Sequence, residues 1–212
     1  ILEVDVNGGE PTASKNYKKI LANLPENTII VRMNTNGSRM IKELENILSK
    51  RVMVIVTLSF DGVGSTHDYV RWPILWKNYI KNVKEYQQLQ KQFPLLRLNS
   101  WTTVSCLNVA NLPNILDFTT EHNIDHDWAF LNTPNVYHVK HINRFTEFAK
   151  NILETSSYAQ CRKIAGSVAI GKNNDEELVE HITRQDVLRK IDYKDYFNLD
   201  PNFSKNSEAK RL

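Results

Sequence analysis

Asn7-Gly8-Gly9-Glu10-Pro11 follows directly on the run Ile1-Leu2-Glu3-Val4-Asp5-Val6, and it holds the residues best suited to chemistry. An alternating segment that stops at two glycines, a carboxylate and a proline marks a strand end where backbone approaches a ligand. Glycine lacks the Cβ that would block such an approach. Pro11 has no amide N–H and fixes its own φ, so strand pairing ends there. The carbonyls and carboxylate left exposed can accept hydrogen bonds from a cationic amine.

Three further loops share this polar, small-residue character. They are Asn34-Thr35-Asn36-Gly37-Ser38, then Ser59-Phe60-Asp61-Gly62 with His67-Asp68-Tyr69-Val70-Arg71-Trp72-Pro73, and Thr102-Thr103-Val104-Ser105 running on to Asn108. Hydroxyls, amides and carboxylates gathered at one rim suit a ligand that carries an amine, a carboxylate and a ribose. Ser59 and Asp61 can bond sugar hydroxyls. Arg71 can pair with a carboxylate on a ligand, or with Asp68 on its own loop. Each loop also has a plainer reading. Gly-Gly-Glu-Pro alone is an ordinary strand-to-helix turn, and Asn36-Gly37 and Asp61-Gly62 are usual turn pairs. Only the four together favour a ligand.

The elements that must hold these loops alternate between strand and helix as far as about residue 155. Leu2–Val6, 28–33, 52–58, Leu96–Val104 and 126–131 read as strands, being rich in Val, Ile and aromatics. Tyr17, Ile20, Leu21 and Leu24 form an i, i+3, i+4, i+7 stripe behind Ser14 as a cap. Ile41, Leu44, Ile47 and Leu48 form a second behind Ser38, and Trp76, Tyr79, Ile80 and Val83 a longer third. Leu112, Ile115 and Leu116 follow Asn111, and Ile142, Phe145, Phe148, Ala149 and Ile152 make a fifth.

Strand, helix, strand with short connections predicts βαβ units on a parallel sheet. The expected fold is α/β, a partial or open (β/α) barrel whose ligands gather at the C-terminal strand ends. After about residue 156 the pattern is purely helical, with stripes at Tyr158-Cys161-Ile164-Ala165-Val168 and Leu178-Val179-Ile182. The expected domains are therefore 1–155 as the barrel, 156–203 as a helical C-terminal extension, and 204–212 as a polar, flexible tail.

Bulk properties narrow the class. The 212 residues are 41% hydrophobic, enough for one sizeable core. Net charge is +3, from 27 basic and 24 acidic residues spread along the chain rather than massed as a nucleic-acid footprint. No apolar run reaches the ~18 residues of a membrane span. Cys106 and Cys161 stand far apart and fit buried thiols in a reducing cytoplasm better than a disulfide. The pairs His122/His126 and His138/His141 raise a metal reading, but zinc needs three or four converging ligands. Tyr69, Trp72 and Trp76 read as packing residues. Ile1 already lies inside a strand, so upstream sequence is expected to precede it.

The loop set resembles the radical S-adenosylmethionine superfamily. The residues carrying the resemblance are Gly8-Gly9-Glu10-Pro11, Thr35-Asn36-Gly37, Ser59-Phe60-Asp61-Gly62 and Tyr69-Val70-Arg71. It continues through Trp76, Thr103-Val104-Ser105 and Asn108 to the helix at Leu112–Leu116, and covers residues 1 to about 140. It looks closest to the twitch-domain-containing members.

The resemblance implies a partial (β/α)6 barrel, in this chain without its first βα unit, that binds S-adenosylmethionine and a [4Fe–4S] cluster. It implies reductive cleavage of the sulfonium to a 5′-deoxyadenosyl radical, with an electron donor and a small-molecule or peptide substrate as partners. By carry-over Gly8, Gly9 and Glu10, beside Pro11, hold the methionine amine. Ser59, with Asp61 or Asn36, faces ribose or carboxylate. Thr103, Ser105 and Asn132 lie near adenine or substrate. The departure from the family is the cluster loop. Its Cys-x3-Cys-x2-Cys run, expected one βα unit before Gly8, is not in this chain, and neither Cys106 nor Cys161 replaces it. The chain alone is thus expected to be inactive. The competing reading is a non-catalytic nucleotide-binding or scaffold module built on the same barrel.

Overall fold

The computed structural model describes residues 2–168 and 175–197. Five strands, β1 (Leu2–Val6), β2 (Thr28–Thr35), β3 (Met53–Ser59), β4 (Leu96–Val104) and β5 (Asp125–Phe130), form one sheet in the order β1-β2-β3-β4-β5. The pairings from β1 to β4 are parallel. Between and after the strands come α1 (Lys15–Ala22), α2 (Leu44–Ser49), α3 (Ser65–Val70), α4 (Trp76–Gln92), α5 (Leu112–Glu121), α6 (Arg144–Glu154), α7 (Ala159–Ala165) and α8 (Asp175–Arg189). The α/β class and sequential parallel order agree with the βαβ pattern. The expected tail at 204–212 lies outside the described residues.

The chain divides into two compact units. The first comprises Ile1–Phe60, Ile74–Thr102 and Thr119–Asp127. One face of its sheet is more buried than the other. Val31, Met33, Val54, Val56, Leu58, Leu96 and Leu98 are buried on that face. Leu21, Leu44, Ile47, Tyr79, Val83 and Tyr86 are among the buried residues of the helices in the same unit. Each fully buried side chain of this size contributes roughly 1.5–3 kcal/mol. Tyr86 donates its hydroxyl to the Arg39 carbonyl and accepts from the Ile41 N–H, which holds the segment ahead of α2. Phe60, Trp76 and Tyr79 stack with ring centroids 5.6–5.7 Å apart.

The second unit comprises Asp61–Pro73, Thr103–Phe118 and Trp128–Leu212. Its core joins Tyr69, Cys106, Val136, Phe145, Leu178, Ile182 and Tyr193. Helix α6 starts at a capping box in which Asn143 accepts from the Phe145 and Thr146 N–H groups and Thr146 accepts from the Asn143 N–H. The helical reading of residues after 156 is met by α7 and α8.

Some local readings shift. β2 runs on to Thr35 and β3 to Ser59, since Thr35 pairs in register with Leu58 and Ser59 with Trp101. α2 starts at Leu44 rather than behind Ser38, because the Ser38 N–H is taken by Asn36 Oδ1 in a local turn. Ile20 is 48% exposed although Tyr17 and Leu21 on its stripe are buried. The short α3 has no apolar period to announce it. It follows Gly64 at φ +62° and buries His67 and Tyr69.

Candidate functional site

Within the first unit the tips of β1, β2 and β3 lie along one sheet edge, because all three are parallel and in register. Gly8 (φ +94°) and Gly9 (φ +63°) are in the left-handed region, and a Cβ built on either meets nothing within 4 Å. Glycine is needed there for its backbone, and the space beside it is open. Pro11 begins a short 3-10 turn and is buried.

Glu10 does not stand free. Its Oε1 accepts from the Thr12 N–H (3.1 Å) and hydroxyl (2.8 Å), and its Oε2 accepts the Asn36 N–H at 2.7 Å. The Thr35 hydroxyl lies 2.9 and 3.1 Å from the two oxygens. The carboxylate therefore fastens the loop after β1 to the loop after β2. Asn36 uses its Oδ1 on Ser38, and Gly37 donates to the Thr35 hydroxyl. Asn82 holds the Gly37 carbonyl at 2.8 Å. Ser59, half-buried at the end of β3, has no hydrogen-bond partner for its hydroxyl among the described residues. Among the described residues, what remains available at this edge is the Gly8–Gly9 backbone, the Nδ2 amino group of Asn36 and the hydroxyl of Ser59.

The second unit holds the other candidates. Asp61 is 7% exposed; its Oδ1 accepts the Thr103 N–H at 2.8 Å, and its Oδ2 lies 2.8 Å from Arg71 Nε. Arg71 thus pairs with Asp61. Burial raises the Asp61 pKa, while Arg71 and the Thr103 N–H oppose it. His67, fully buried nearby in sequence, is pushed down to about 4 by burial and then by the Arg71 charge.

Ser105 is 4% exposed and locked in a turn. Its N–H donates to Asn108 Oδ1 at 2.7 Å, and the Asn108 Nδ2 donates to the Thr103 carbonyl at 2.9 Å. Asn132 is exposed just after β5, where the neighbouring Leu131 N–H donates to the Val104 carbonyl. The structure therefore brings Asp61, Arg71 and Thr103 together, places Ser105 in the turn held by Asn108, and leaves Asn132 on the surface.

Two sets of residues escape sequence reasoning. Thr12 belongs to no motif, though a hydroxyl two residues beyond Glu10 is a common local partner. Tyr69 donates its hydroxyl to Asp186 at 2.7 Å, and the second Asp186 oxygen accepts the Tyr193 N–H at 2.6 Å. Nothing in the sequence links positions so far apart.

The histidines are engaged separately. His126 Nδ1 lies 2.8 Å from Ser100 Oγ, and the His138 and His141 rings are 6.5 Å apart. No group of three or more His, Cys, Asp or Glu among the described residues is placed to hold a metal ion. Cys106 and Cys161 are buried with thiol pKa values raised by burial, the opposite of a ligating thiolate. The described residues do not fit a [4Fe–4S] cluster. Among them, no helix is long and apolar enough to cross a membrane.

An α/β chain with a parallel sheet and polar strand tips is the class these observations define. No protein-family model and no curated protein matches it. Among solved structures it is similar to Streptococcus suis SuiB bound to S-adenosylmethionine, at 21% identity and a TM-score of 0.47, over 89% of this chain and 37% of that one. A second structure of Streptococcus suis SuiB matches at 21% identity, a TM-score of 0.47, and 90% and 37% coverage. SuiB bound to precursor peptide SuiA matches at 20% identity, a TM-score of 0.46, and 90% and 36% coverage. The chain spans little more than a third of the length of those proteins.

Proposed function

We propose that this chain is the S-adenosylmethionine-binding body of a radical S-adenosylmethionine enzyme, its sheet forming part of a (β/α)6 barrel. The observation that carries the reading is the open backbone at Gly8 and Gly9, held in place by the Glu10 carboxylate bonded to Thr35 and Asn36. Carbonyls of the glycine pair accept the methionine ammonium. Glu10 sets their position and adds negative charge beside the cation. Asn36 and Ser59, on the same sheet edge, offer an Nδ2 amino group and a hydroxyl to ribose or carboxylate. By resemblance alone, Asp61 is assigned to ribose or carboxylate and Thr103, Ser105 and Asn132 to adenine or substrate, while Arg71 is assigned to a carboxylate by its residue type.

An iron–sulfur cluster held outside the described residues would supply the electron that cleaves the sulfonium, chemistry that belongs to the cofactors rather than to this chain. The described residues do not fit the cluster, so the part left to this chain is to bind and orient the nucleoside. An electron donor and a small-molecule or peptide substrate would be its partners.

Calorimetric titration of S-adenosylmethionine into the protein tests the reading. Ser59→Ala should weaken binding about fivefold, the worth of one ordinary hydrogen bond, with the fold intact. No binding to the protein, or binding by both Ser59→Ala and Glu10→Ala as tight as wild type, overturns it.

A further inference from the structure

Parallel sheets are normally covered on both faces. Among the described residues of the first unit one face of the sheet is less buried than the other, and its residues change character along the strands. The lowest level pairs Glu3 with Ile30 and Ile30 with Met53. The next pairs Asp5 with Arg32, Arg32 with Ile55 and Ile55 with Arg97. Above it Asn34 pairs with Thr57 and Thr57 with Asn99, and above that Ser59 pairs with Trp101. A barrel interior filled only for packing would carry Val, Ile and Leu at these levels. Instead, three hydrogen-bonding side chains lie in one row across three strands.

The row is accessible. Asn34 is exposed, Thr57 and Asn99 are half-buried, and the Trp101 indole is 41% exposed. Asn34 Nδ2 donates to Asn7 Oδ1 at 3.1 Å, while Thr57 and Asn99 make no side-chain hydrogen bond among the described residues. Neighbouring strands lie ~4.8 Å apart, so the row offers donors and acceptors over roughly 10 Å.

The charges on the face select the ligand. Glu3 and Asp5 flank Arg32, and Glu3 bonds it directly. Arg97 is exposed. His126 points toward buried Ser100 on the more buried face, so Asp125 and Asp127, alternating with it, belong to the less buried face. Four carboxylates thus face two guanidinium groups, on a chain whose net charge is +3. Such a field disfavours phosphates and carboxylates and favours neutral or cationic molecules.

We infer that the Asn34–Thr57–Asn99 row, beside Trp101, binds a small neutral or cationic molecule through an amide group. The carboxamides offer an N–H and a C=O in one plane, as an amide does, and the indole covers the ligand's apolar part. The inference deepens the proposed function, since this ligand would be the co-substrate of the nucleoside held at Gly8 and Gly9.

The test is NMR of the full chain, following the side-chain carboxamide signals of Asn34 and Asn99. The probes are Nα-acetyl-lysinamide, N-acetylglycinamide and N-acetylglycine, which share an N-acetyl amide and are cationic, neutral and anionic, with N-acetylglucosamine as a sugar-borne amide. Saturable shifts are expected, strongest for lysinamide and weakest for acetylglycine. Asn99→Ala and Thr57→Val should each weaken the neutral probe about fivefold. Tighter binding by the sugar or by the peptidyl amide upholds the assignment and names the source. No saturable shift, preference for the anion, unchanged binding in both variants, or protection of these signals by a concentration-dependent dimer overturns it. S-adenosylmethionine titrated into the same sample is read at the Gly8, Gly9 and Asn36 amides. Silence there with amide binding intact refutes the nucleoside reading alone; the converse refutes the amide site alone.

Discussion

The Glu10 carboxylate accepts the Asn36 N–H at 2.7 Å across the gap between the tips of β1 and β2. With Thr12 and Thr35 on the same two oxygens, one side chain sets the relative position of two loops that carry ligand candidates. The carboxylate is thereby a positioning group first, and any contact with a ligand is added to that.

Replacing Glu10 with Gln keeps one acceptor oxygen and puts an NH2 donor where Thr and Asn donors point. The expected loss of stability is about 1–2 kcal/mol, and for Glu10→Ala about 2–3 kcal/mol. Urea unfolding of the two variants measures both. If Glu10→Ala unfolds at the wild-type midpoint, the carboxylate does not hold these loops.

Glycine substitutions should separate ligand space from packing space. At Gly37 (φ +69°) an added Cβ would lie 2.5 Å from Tyr79 Cε2, inside the stacked aromatic core. Gly37→Ala should therefore destabilise by roughly 2–4 kcal/mol, combining left-handed strain with overpacking. At Gly8 and Gly9 the same methyl meets open space, so alanine should cost only the backbone strain, ~1–2 kcal/mol, while weakening S-adenosylmethionine binding more than tenfold. Thermal melts paired with calorimetry distinguish the two behaviours; equal destabilisation at all three sites would contradict it.

In the second unit, Asp186 is 5% exposed and receives both the Tyr69 hydroxyl and the Tyr193 N–H. Removing the hydroxyl in Tyr69→Phe leaves a buried carboxylate with one donor fewer, an expected loss of about 1–3 kcal/mol. Asp186→Asn should cost a comparable amount. The double variant should cost less than the sum of the two, which a double-mutant cycle reads directly. Strict additivity would show that the 2.7 Å contact is energetically idle.

Acid should weaken the fold through two histidines. Burial holds His126 at about 4, and burial with the Arg71 charge holds His67 at about 4, against an ordinary value of 6.5. Below pH 6.5 the unfolded chain takes up protons that the native imidazoles refuse. Stability is therefore full above pH 6.5 and falls as pH drops toward 4, by roughly 2 kcal/mol per histidine at pH 4.5. Asp61 acts in the opposite sense: with its pKa raised, the folded state takes its proton first, offsetting part of the loss. Unfolding midpoints between pH 7 and 4.5 should decline in wild type and decline less in His126→Gln. A flat wild-type profile would mean that neither imidazole resists protonation.

Strand positions were legible because alternation and runs of β-branched residues are local. Leu2–Val6 and Leu96–Val104 coincide with β1 and β4 to the residue. The Ser14 cap was equally plain, since its side chain accepts from the Tyr17 N–H three residues on. Helix α3 was not, because two buried residues, His67 and Tyr69, stand in for an apolar stripe. At the candidate site, residue types were readable and their partners were not. Asp61 looked available for a sugar until Arg71, ten positions on, and Thr103, forty-two positions on, took its oxygens.

By itself, then, the amino-acid order determined the α/β alternation, the polar tips of the strands and the two adjacent glycines that leave backbone open to a ligand. Those features depend on neighbours within a few residues, where backbone sterics and hydrophobic periodicity act. Only the tertiary structure decided which polar groups are spent on the protein and which remain. It tied Glu10 to Asn36, Asp61 to Arg71 and Tyr69 to Asp186, and it lined up Asn34, Thr57 and Asn99. Strand register and long-range hydrogen bonds join residues that lie far apart along the chain, and no local pattern encodes that pairing.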